Sequence, residues 1–362
     1  MSEKVVKYGV VGLGRGANIA LVAYGISNGQ LIAACDQNPE TLEKAKARFE
    51  SGGITGCQYF SDYDEMLKCD IDAVLVATEA VYHVPIVKKA LEAGKHVLSE
   101  IPSVNSIEEA YELKKAVSEH PDLIYMAAEN CCYWAFIESW KQMREKGEFG
   151  SIVFAEAEYL HAIHPDEFSP TYYPKGHWRT YNPAIKYITH ELGPLLYIMD
   201  DRCVSVTCLE PDINYDPNCP NRKGVGIALI KTEKGAVIKI LISFAAYTSF
   251  DHNFRLVGTR GAIETDRLTR CEEAHSFANL YSIPNTFAHK IEIPVSTSYN
   301  GSANKGGHGG ADRKMMEDFL SCVAENRKPV LDVDFAINMS LPGSLAHESA
   351  VQGGVPMNIP KI

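Results

Sequence analysis

An α/β fold is predicted for this chain: an N-terminal Rossmann doubly wound parallel sheet, followed by an α+β domain with an open, mainly antiparallel sheet. Three observations predict it. A glycine-rich turn follows the first strand-like run. Short apolar runs then alternate with amphipathic segments from Tyr8 to about Tyr125. After Gly150 strand-like runs dominate and follow one another. The apolar run Tyr8 to Val11 feeds Gly12-Leu13-Gly14-Arg15-Gly16-Ala17, and a helix-competent segment extends from Ala17 to Tyr24. Gly12 suits the tight turn, Gly14 lets backbone come close to a pyrophosphate, and Ala17 is small where helix and strand must pack. The helix N-terminus offers free N–H donors and a favourable dipole to phosphate oxygens. A second run, Leu31 to Cys35, ends in Asp36, about 20 residues beyond the glycines, where a carboxylate accepts from a ribose 2′-hydroxyl. The same carboxylate repels a 2′-phosphate, so NAD is the expected cofactor, with Gly12, Gly14, Arg15, Ala17 and Asp36 around it.

The remaining elements follow in order. Strand runs are Ile32-Ala33-Ala34, Ala73 to Ala77, His96-Val97-Leu98 and Ile124-Tyr125-Met126. Helical segments are Pro39 to Glu50, Tyr63 to Leu67, Val84 to Ala93 and Ser106 to Glu119. Asn38-Pro39 reads as a helix start, Ser106 with Glu109 as a capping box, and Gly94 as a helix stop. The second domain is predicted from strand-like runs at Ile152 to Leu160, Val204 to Leu209, Val225 to Thr232, Ala236 to Phe244, His252 to Val257 and Ala262 to Thr265, with a helix from about Gly310 to Glu325. Residues 1–126 are therefore the expected NAD-binding domain and 127–362 the expected substrate-binding and oligomerisation domain. The segment His164 to Ile185 is rich in Pro, Tyr and His and reads as a loop.

Bulk properties narrow the function. A net charge of −11 without any basic run argues against nucleic acid and anionic membrane surfaces. No apolar stretch approaches the roughly 20 residues that span a bilayer. The first strand begins almost at once, so no export signal is expected, and the ten scattered cysteines then read as reduced cytoplasmic thiols. Cys131-Cys132 reads as a pair of small hydrophobes.

Two more segments stand at strand ends, where a parallel sheet places its ligand: Ala77-Thr78-Glu79 with His83 shortly after, and Ser99-Glu100-Ile101-Pro102. Thr78, His83, Glu100 and Pro102 join the expected cofactor set. With these residues the chain resembles the Gfo/Idh/MocA oxidoreductases, whose strand ends usually read A-T-P-N…H and E-K-P. Glu79 replaces the first proline and Ile101 the lysine that plain dehydrogenases of that family use beside the nicotinamide. Glu129-Asn130-Cys131-Cys132-Tyr133 resembles the E-N-x-C-Y stretch of the family's NAD-dependent glycosidases, typified by α-N-acetylgalactosaminidases. Tyr187-Ile188-Thr189-His190-Glu191-Leu192-Gly193-Pro194 is similar to their Y-P-T-H-G-L-G-P, Trp178-Arg179 to their W-R-T, and His308-Gly309-Gly310-Ala311-Asp312 to their H-G-G-x-D; His161 fits their strand ending in histidine. The chain is shorter than those enzymes between Tyr159 and Tyr187.

The resemblance implies oxidation of a sugar ring hydroxyl, at C3, to a transient ketone, elimination or hydrolysis of the glycosidic bond, and return of the hydride. It points to His190, Tyr187 and Glu129 as catalytic residues, and to His161, Trp178, Arg179 and His308 around the substrate. The chemistry is consistent with those side chains. Removing a hydroxyl proton needs a base near neutral pKa, which imidazole supplies. Tyr187 falls within one helical turn of His190 if that segment is helical. Glu129 could protonate a departing oxygen. Trp178 with Tyr172-Tyr173 could stack on apolar pyranose faces. His161, His164, Glu129 and His308 lack the tight spacing of zinc or manganese ligands, so no metal is expected. A plain NAD-dependent sugar, inositol or glycoside dehydrogenase is the alternative, and a non-catalytic sensor a third. The alternating Ile238, Ile240 and Ile242 are expected to need cover, which a homo-oligomer would provide.

Overall fold

The computed structural model describes residues 4–162, 177–213, 223–245, 251–268, 275–294 and 307–362. His164, Tyr172 and Tyr173 lie outside them. The chain divides into two compact units: Met1–Asn130 with Asn300–Ile337 and Ile362, and Cys131–Tyr299 with Asn338–Lys361.

The first unit is a parallel sheet of β1 (Val6–Val11), β2 (Gly29–Cys35), β3 (Gln58–Phe60), β4 (Ala73–Val76), β5 (His96–Ser99) and β6 (Tyr125–Ala127), in the order β3-β2-β1-β4-β5-β6. All four residues of β4 are buried, as expected of a strand covered on both faces. The order reverses between β1 and β4, so the ends of these two strands flank the switch point where such sheets bind ligands. Between the strands run α1 (Arg15–Ala23), α2 (Pro39–Ser51), α3 (Tyr63–Met66), α4 (His83–Glu92) and α5 (Ile107–Ser118). The Asn38 side chain accepts from the Glu40 and Thr41 amides at the start of α2. Ser106 Oγ accepts from the Glu109 amide at 3.2 Å, while Glu109 Oε2 reaches back to the Asn105 amide at 2.7 Å, one residue earlier than a standard capping box. Gly94 ends α4 with φ +73°. β3 went unpredicted because Gln58-Tyr59-Phe60 has no apolar run. It is an exposed-to-half-buried edge strand.

The second unit holds α6 (Ala135–Glu145), then β7 (Ile152–Leu160), α7 (Thr189–Met199), β8 (Cys203–Leu209), β9 (Val225–Thr232), β10 (Val237–Ser243), β11 (Asp251–Gly258), β12 (Gly261–Thr265), β13 (Ser276–Leu280) and β14 (Ile291–Ile293). With β15 (Met357–Asn358) these strands form one sheet, β14-β13-β12-β11-β7-β10-β9-β8-β15, antiparallel throughout except where β10 pairs with β7. The helix α7 interrupts the expected succession of strands. The sequence reading gave 127–362 to one domain, but α8 (Ala311–Glu325) belongs to the first unit. Its Leu320 methyl occupies the space a side chain at Gly29 would need, 2.5 Å from where a Cβ would sit. Arg313 on α8 donates to the Val22 and Tyr24 carbonyls at the end of α1. The last helix, α9 (Val333–Val351), is split at Ile337 and Asn338. In the second unit its Asn338 and Ser349 side chains accept from the Cys203 and Cys208 amides and hold β8. Among the described residues no helix is long and apolar enough to cross a membrane.

Candidate functional site

The first unit carries the nucleotide cradle. Gly12 has φ +86°, and a Cβ there would fall 2.4 Å from the Ala77 carbonyl oxygen, so only glycine lets the β1 and β4 ends pass this closely. A Cβ on Gly14 would meet nothing within 4 Å, which leaves the lip of the turn open for a phosphate group. Packing of helix onto strand is tightest at Gly16, which the sequence reading did not single out: its Cβ would sit 2.7 Å from a Val10 methyl. Ala17 beside it is fully buried. The first turn of α1 has no acidic residue to compete with an anion. Asp36 Oδ2 accepts from the Leu13 amide at 2.9 Å and Oδ1 from the Asn38 amide at 2.9 Å. Both bonds fix the carboxylate at the end of β2 with lone pairs left for ribose hydroxyls. These residues fit NAD.

The expected residues at the β4 and β5 ends divide by exposure. His83 is fully enclosed, its Nδ1 2.9 Å from the Pro102 carbonyl and its Nε2 3.1 Å from the Thr78 carbonyl. Burial lowers its pKa against the opposing pull of those carbonyls. It ties the two strand-end loops together. Glu100 accepts from Arg15 Nε at 3.2 Å and from the Ile101 amide at 3.2 Å. Ile101 is buried and apolar where a dehydrogenase of the resembling family would present an amine.

The Arg15 guanidinium also donates to Asp312 Oδ1 at 2.6 Å. Asn130 Nδ2 donates to the same oxygen at 2.8 Å, and His308 Nδ1 stands 3.2 Å from Asp312 Oδ2. Burial pushes the Asp312 carboxyl up, but the His308 and Arg15 partners outweigh it and hold the group well below the usual carboxylate range. His308, expected beside substrate, is therefore grouped with the glycine turn through Asp312. Glu129, two residues beyond β6, is fully buried in this first unit.

The second unit gathers Tyr187, His190, Arg179, Trp178 and His161. Tyr187 closes a single turn, Ala184–Tyr187, directly before α7, and His190 is the second residue of that helix. Their rings are 5.3 Å apart. Arg179 Nη1 donates to the Tyr187 hydroxyl at 2.6 Å, and its guanidinium lies over the Trp178 and Tyr187 rings at 4.6 and 4.9 Å. A cationic donor on a phenol oxygen supports negative charge developing there. Cys131 Sγ is 3.3 Å from His190 Nδ1. Cys131 and Cys132 are both buried, as expected of small hydrophobes, but Cys131 also touches a candidate catalytic ring. His161, just past β7, packs edge-on against Tyr159 and Phe244. Burial, then the charges of Arg179 and His190, lower its pKa to about 4, so it is neutral at physiological pH.

Sequence reasoning missed Tyr159, Glu191 and His252, which pack beneath Tyr187 and His190. Tyr159 lies in an ordinary-looking strand, and His252 meets it only because β11 pairs with β7 in the register His252↔Tyr159. No local motif records such a pairing.

A glycine turn on a doubly wound sheet, followed in the chain by an open sheet and a tyrosine–histidine–arginine cluster on and just ahead of α7, defines an enzyme of the NAD-binding oxidoreductases. The chain belongs to the Gfo/Idh/MocA oxidoreductase family: residues 6–128 match its NAD-binding Rossmann domain and residues 137–264 its C-terminal domain, together more than half the chain. Residues 221–362 also match the C-terminal domain of glycosyl hydrolase family 109. A glycosyl hydrolase family 109 protein of Solibacter usitatus is 28% identical over 387 residues, covering 98% of this chain and 87% of its own. Another from Phocaeicola vulgatus is 29% identical over 378 residues, covering 91% of this chain and 72% of its own. Among solved structures, a levoglucosan dehydrogenase in complex with NADH and levoglucosan superposes with a TM-score of 0.83 at 20% identity over 99% of this chain and all of its own. An aldose-aldose oxidoreductase of Caulobacter crescentus superposes with a TM-score of 0.78 at 18% identity over 98% of this chain and all of its own. Both structures share the fold.

Proposed function

We propose that this enzyme acts on a sugar or glycoside, oxidising a ring hydroxyl at C3 to a transient ketone and promoting elimination or hydrolysis of the glycosidic bond with no net redox change. The observation that carries the reading is the Arg179–Tyr187–His190 arrangement, a cation-supported phenol beside an imidazole. It is joined by the match to a glycosyl hydrolase C-terminal domain and by a buried isoleucine in place of the dehydrogenase lysine. NAD, held by Gly12, Gly14, the first turn of α1 and Asp36, supplies hydride uptake and return when bound. His190 takes the substrate hydroxyl proton. Tyr187, its oxygen held by Arg179, is the base for the more acidic C–H beside a carbonyl. Glu129 is the proposed proton donor to the departing oxygen, and His161, Trp178 and His308 are proposed to contact or orient the sugar.

Chromogenic glycosides incubated in deuterated buffer without added NAD test this reading. Aglycone release with deuterium incorporated next to the oxidised carbon supports it. Cleavage without exchange, or NADH accumulating in proportion to sugar consumed, overturns it, and the second outcome selects the plain dehydrogenase.

We also propose a homo-oligomer, through a different face from the one expected. Ile238, Ile240 and Ile242 are fully buried within the single chain, and next to Ile242 the Ala184–Tyr187 turn sets Ile185 into the space beside Gly226. The opposite side exposes Ile227, Leu229 and Val237. Beside them runs a ladder of alternating charge, Lys239–Glu156 at 3.2 Å, Arg255–Glu156 at 3.8 Å and Arg255–Glu264 at 3.3 Å. Mixed signs and apolar strips on one face suit self-association. A monomeric mass by light scattering at micromolar concentration overturns this.

A further inference from the structure

On α7, Glu191 directly follows His190, and one residue of helix turns a side chain by about 100°. His190 is half-buried, while Glu191 is fully buried. The resembling glycosidase pattern has glycine at this position, so the carboxylate is a feature of this chain. Glu191 Oε1 lies 2.6 Å from Nδ1 of His252, which is also buried. Directly across the β7–β11 pairing, the His252 ring stacks on Tyr159 with centroids 4.3 Å apart and planes 18° apart. Trp134 meets the same imidazole edge-on at 5.0 Å. Tyr159 in turn stacks on Tyr187 at 6.2 Å and meets His190 edge-on at 5.7 Å. The ring between the two candidate catalytic side chains and the protein interior is thus gripped by a carboxylate–imidazole pair.

We propose that Glu191 and His252 are positioning residues for the Tyr187–His190 pair, acting through Tyr159 by means of one shared, buried proton. The proposal rests on the reading that Tyr187 and His190 do the acid–base work. A buried carboxylate alone, or a buried imidazolium alone, is strongly disfavoured, whereas the two holding one proton between them are net neutral and joined by a charge-assisted hydrogen bond. Such a bond fixes the plane of the imidazole, and an imidazole carrying positive charge is further held against the face of a phenol. Fixing that plane fixes Tyr159, against which Tyr187 and His190 are spaced. Among the described residues, His190 on α7 and Tyr159 on β7 face the pair directly, and Tyr187, Cys131 and Arg179 act in turn on Tyr159.

The test is histidine-selective NMR of the NAD-loaded enzyme, following the ring carbon and nitrogen resonances with pH, alongside kinetics on a chromogenic glycoside. In the native enzyme the His252 resonance is expected to stay unchanged between pH 5.5 and 8.5. Free titration of His252 near the ordinary histidine pKa of about 6.5 overturns the proposal without any variant and without any activity. Glu191→Gln keeps the shape of the acceptor and removes its charge. His252 is then expected to carry a single ring proton at pH 7, and kcat to fall about tenfold with KM and NAD affinity within twofold. An unchanged His252 protonation state in that variant, or an unchanged kcat beside a changed protonation state, overturns it. Glu191→Asp retains the charge and is expected to recover most of the lost kcat; a loss equal to that of Glu191→Gln overturns it. A native enzyme inert toward every glycoside would sink the proposed function, while the NMR of the native protein still decides the state of the pair.

Discussion

The cradle of the first unit and the ring cluster of the second solve the same problem by opposite means. The cradle positions its ligand groups with backbone: a left-handed Gly12, an open Gly14, helix amides and a carboxylate pinned by two N–H bonds. Its side-chain devices include ionic ones, Arg15 on Asp312 and on Glu100. The cluster positions Tyr187 and His190 almost entirely with rings, supplemented by the guanidinium of Arg179 and the Glu191–His252 bond. Backbone geometry tolerates little change in residue type and much change in charge. Ring packing tolerates neither a lost ring nor a lost register.

The first break in the comparison falls where the cradle is most rigid. Gly12→Ala adds the strain of a left-handed residue, about 1–3 kcal/mol, to an overlap with the Ala77 carbonyl. NAD affinity measured by calorimetry should fall roughly 100-fold or more, about 2.7 kcal/mol; an unchanged affinity breaks the claim that the backbone does the positioning. In the cluster, His190→Asn should lower kcat on a chromogenic glycoside by about 10² to 10⁴ and leave NAD affinity within twofold. Equal losses in binding and rate would erase the distinction between the regions.

Asp312→Ala removes the anion from a buried pair and should cost about 3–5 kcal/mol by denaturant unfolding, less to the extent that half-buried Arg15 can rehydrate. Because the Asp312 carboxyl is held below its unfolded value, its stabilisation is present above that value, near pH 4, and is lost as pH falls through the lower folded value. Asp312→Asn should accordingly flatten the acid limb of the stability profile. The smallest effect belongs to His161. Its folded pKa of about 4 lies below the unfolded value, so the native state loses stability as pH falls from about 6.5 toward 4. His161→Gln should remove about 1–2 kcal/mol of that loss at pH 5, measured against the native enzyme's own pH profile.

This contrast also explains what could be read from the sequence. Gly12, Gly14 and Asp36 lie within one strand–helix–strand unit, so spacing alone expresses their geometry. The capping residues Asn38 and Ser106 were legible for the same reason. Gly16 was not, because its importance comes from Val10 and Ala77 crowding it. His252 and Tyr159 are separated by 93 residues of chain, and only the pairing of β11 with β7 makes them neighbours. The partnership of Arg15 with Asp312 spans 297 positions. Ile238, Ile240 and Ile242 showed the correct alternation, but which of the two sheet faces a local turn covers is a tertiary fact.

The single parallel pairing in the second sheet has a bearing on how the chain acquires its structure. β7 sits between β10 and β11, so neither long edge of that strand can be paired until some eighty to a hundred further residues have been made. The first unit waits longer still, since Leu320 and Arg313, which close over Gly29 and the end of α1, come after every strand of both sheets except β15. Contacts of such sequence separation carry a loop-closure cost before any of them stabilises the chain, and slow folding follows. During synthesis the nucleotide-binding sheet is therefore laid down early but left uncovered at α1, and NAD arriving before α8 would meet a turn whose Arg15 has no Asp312 to hold it.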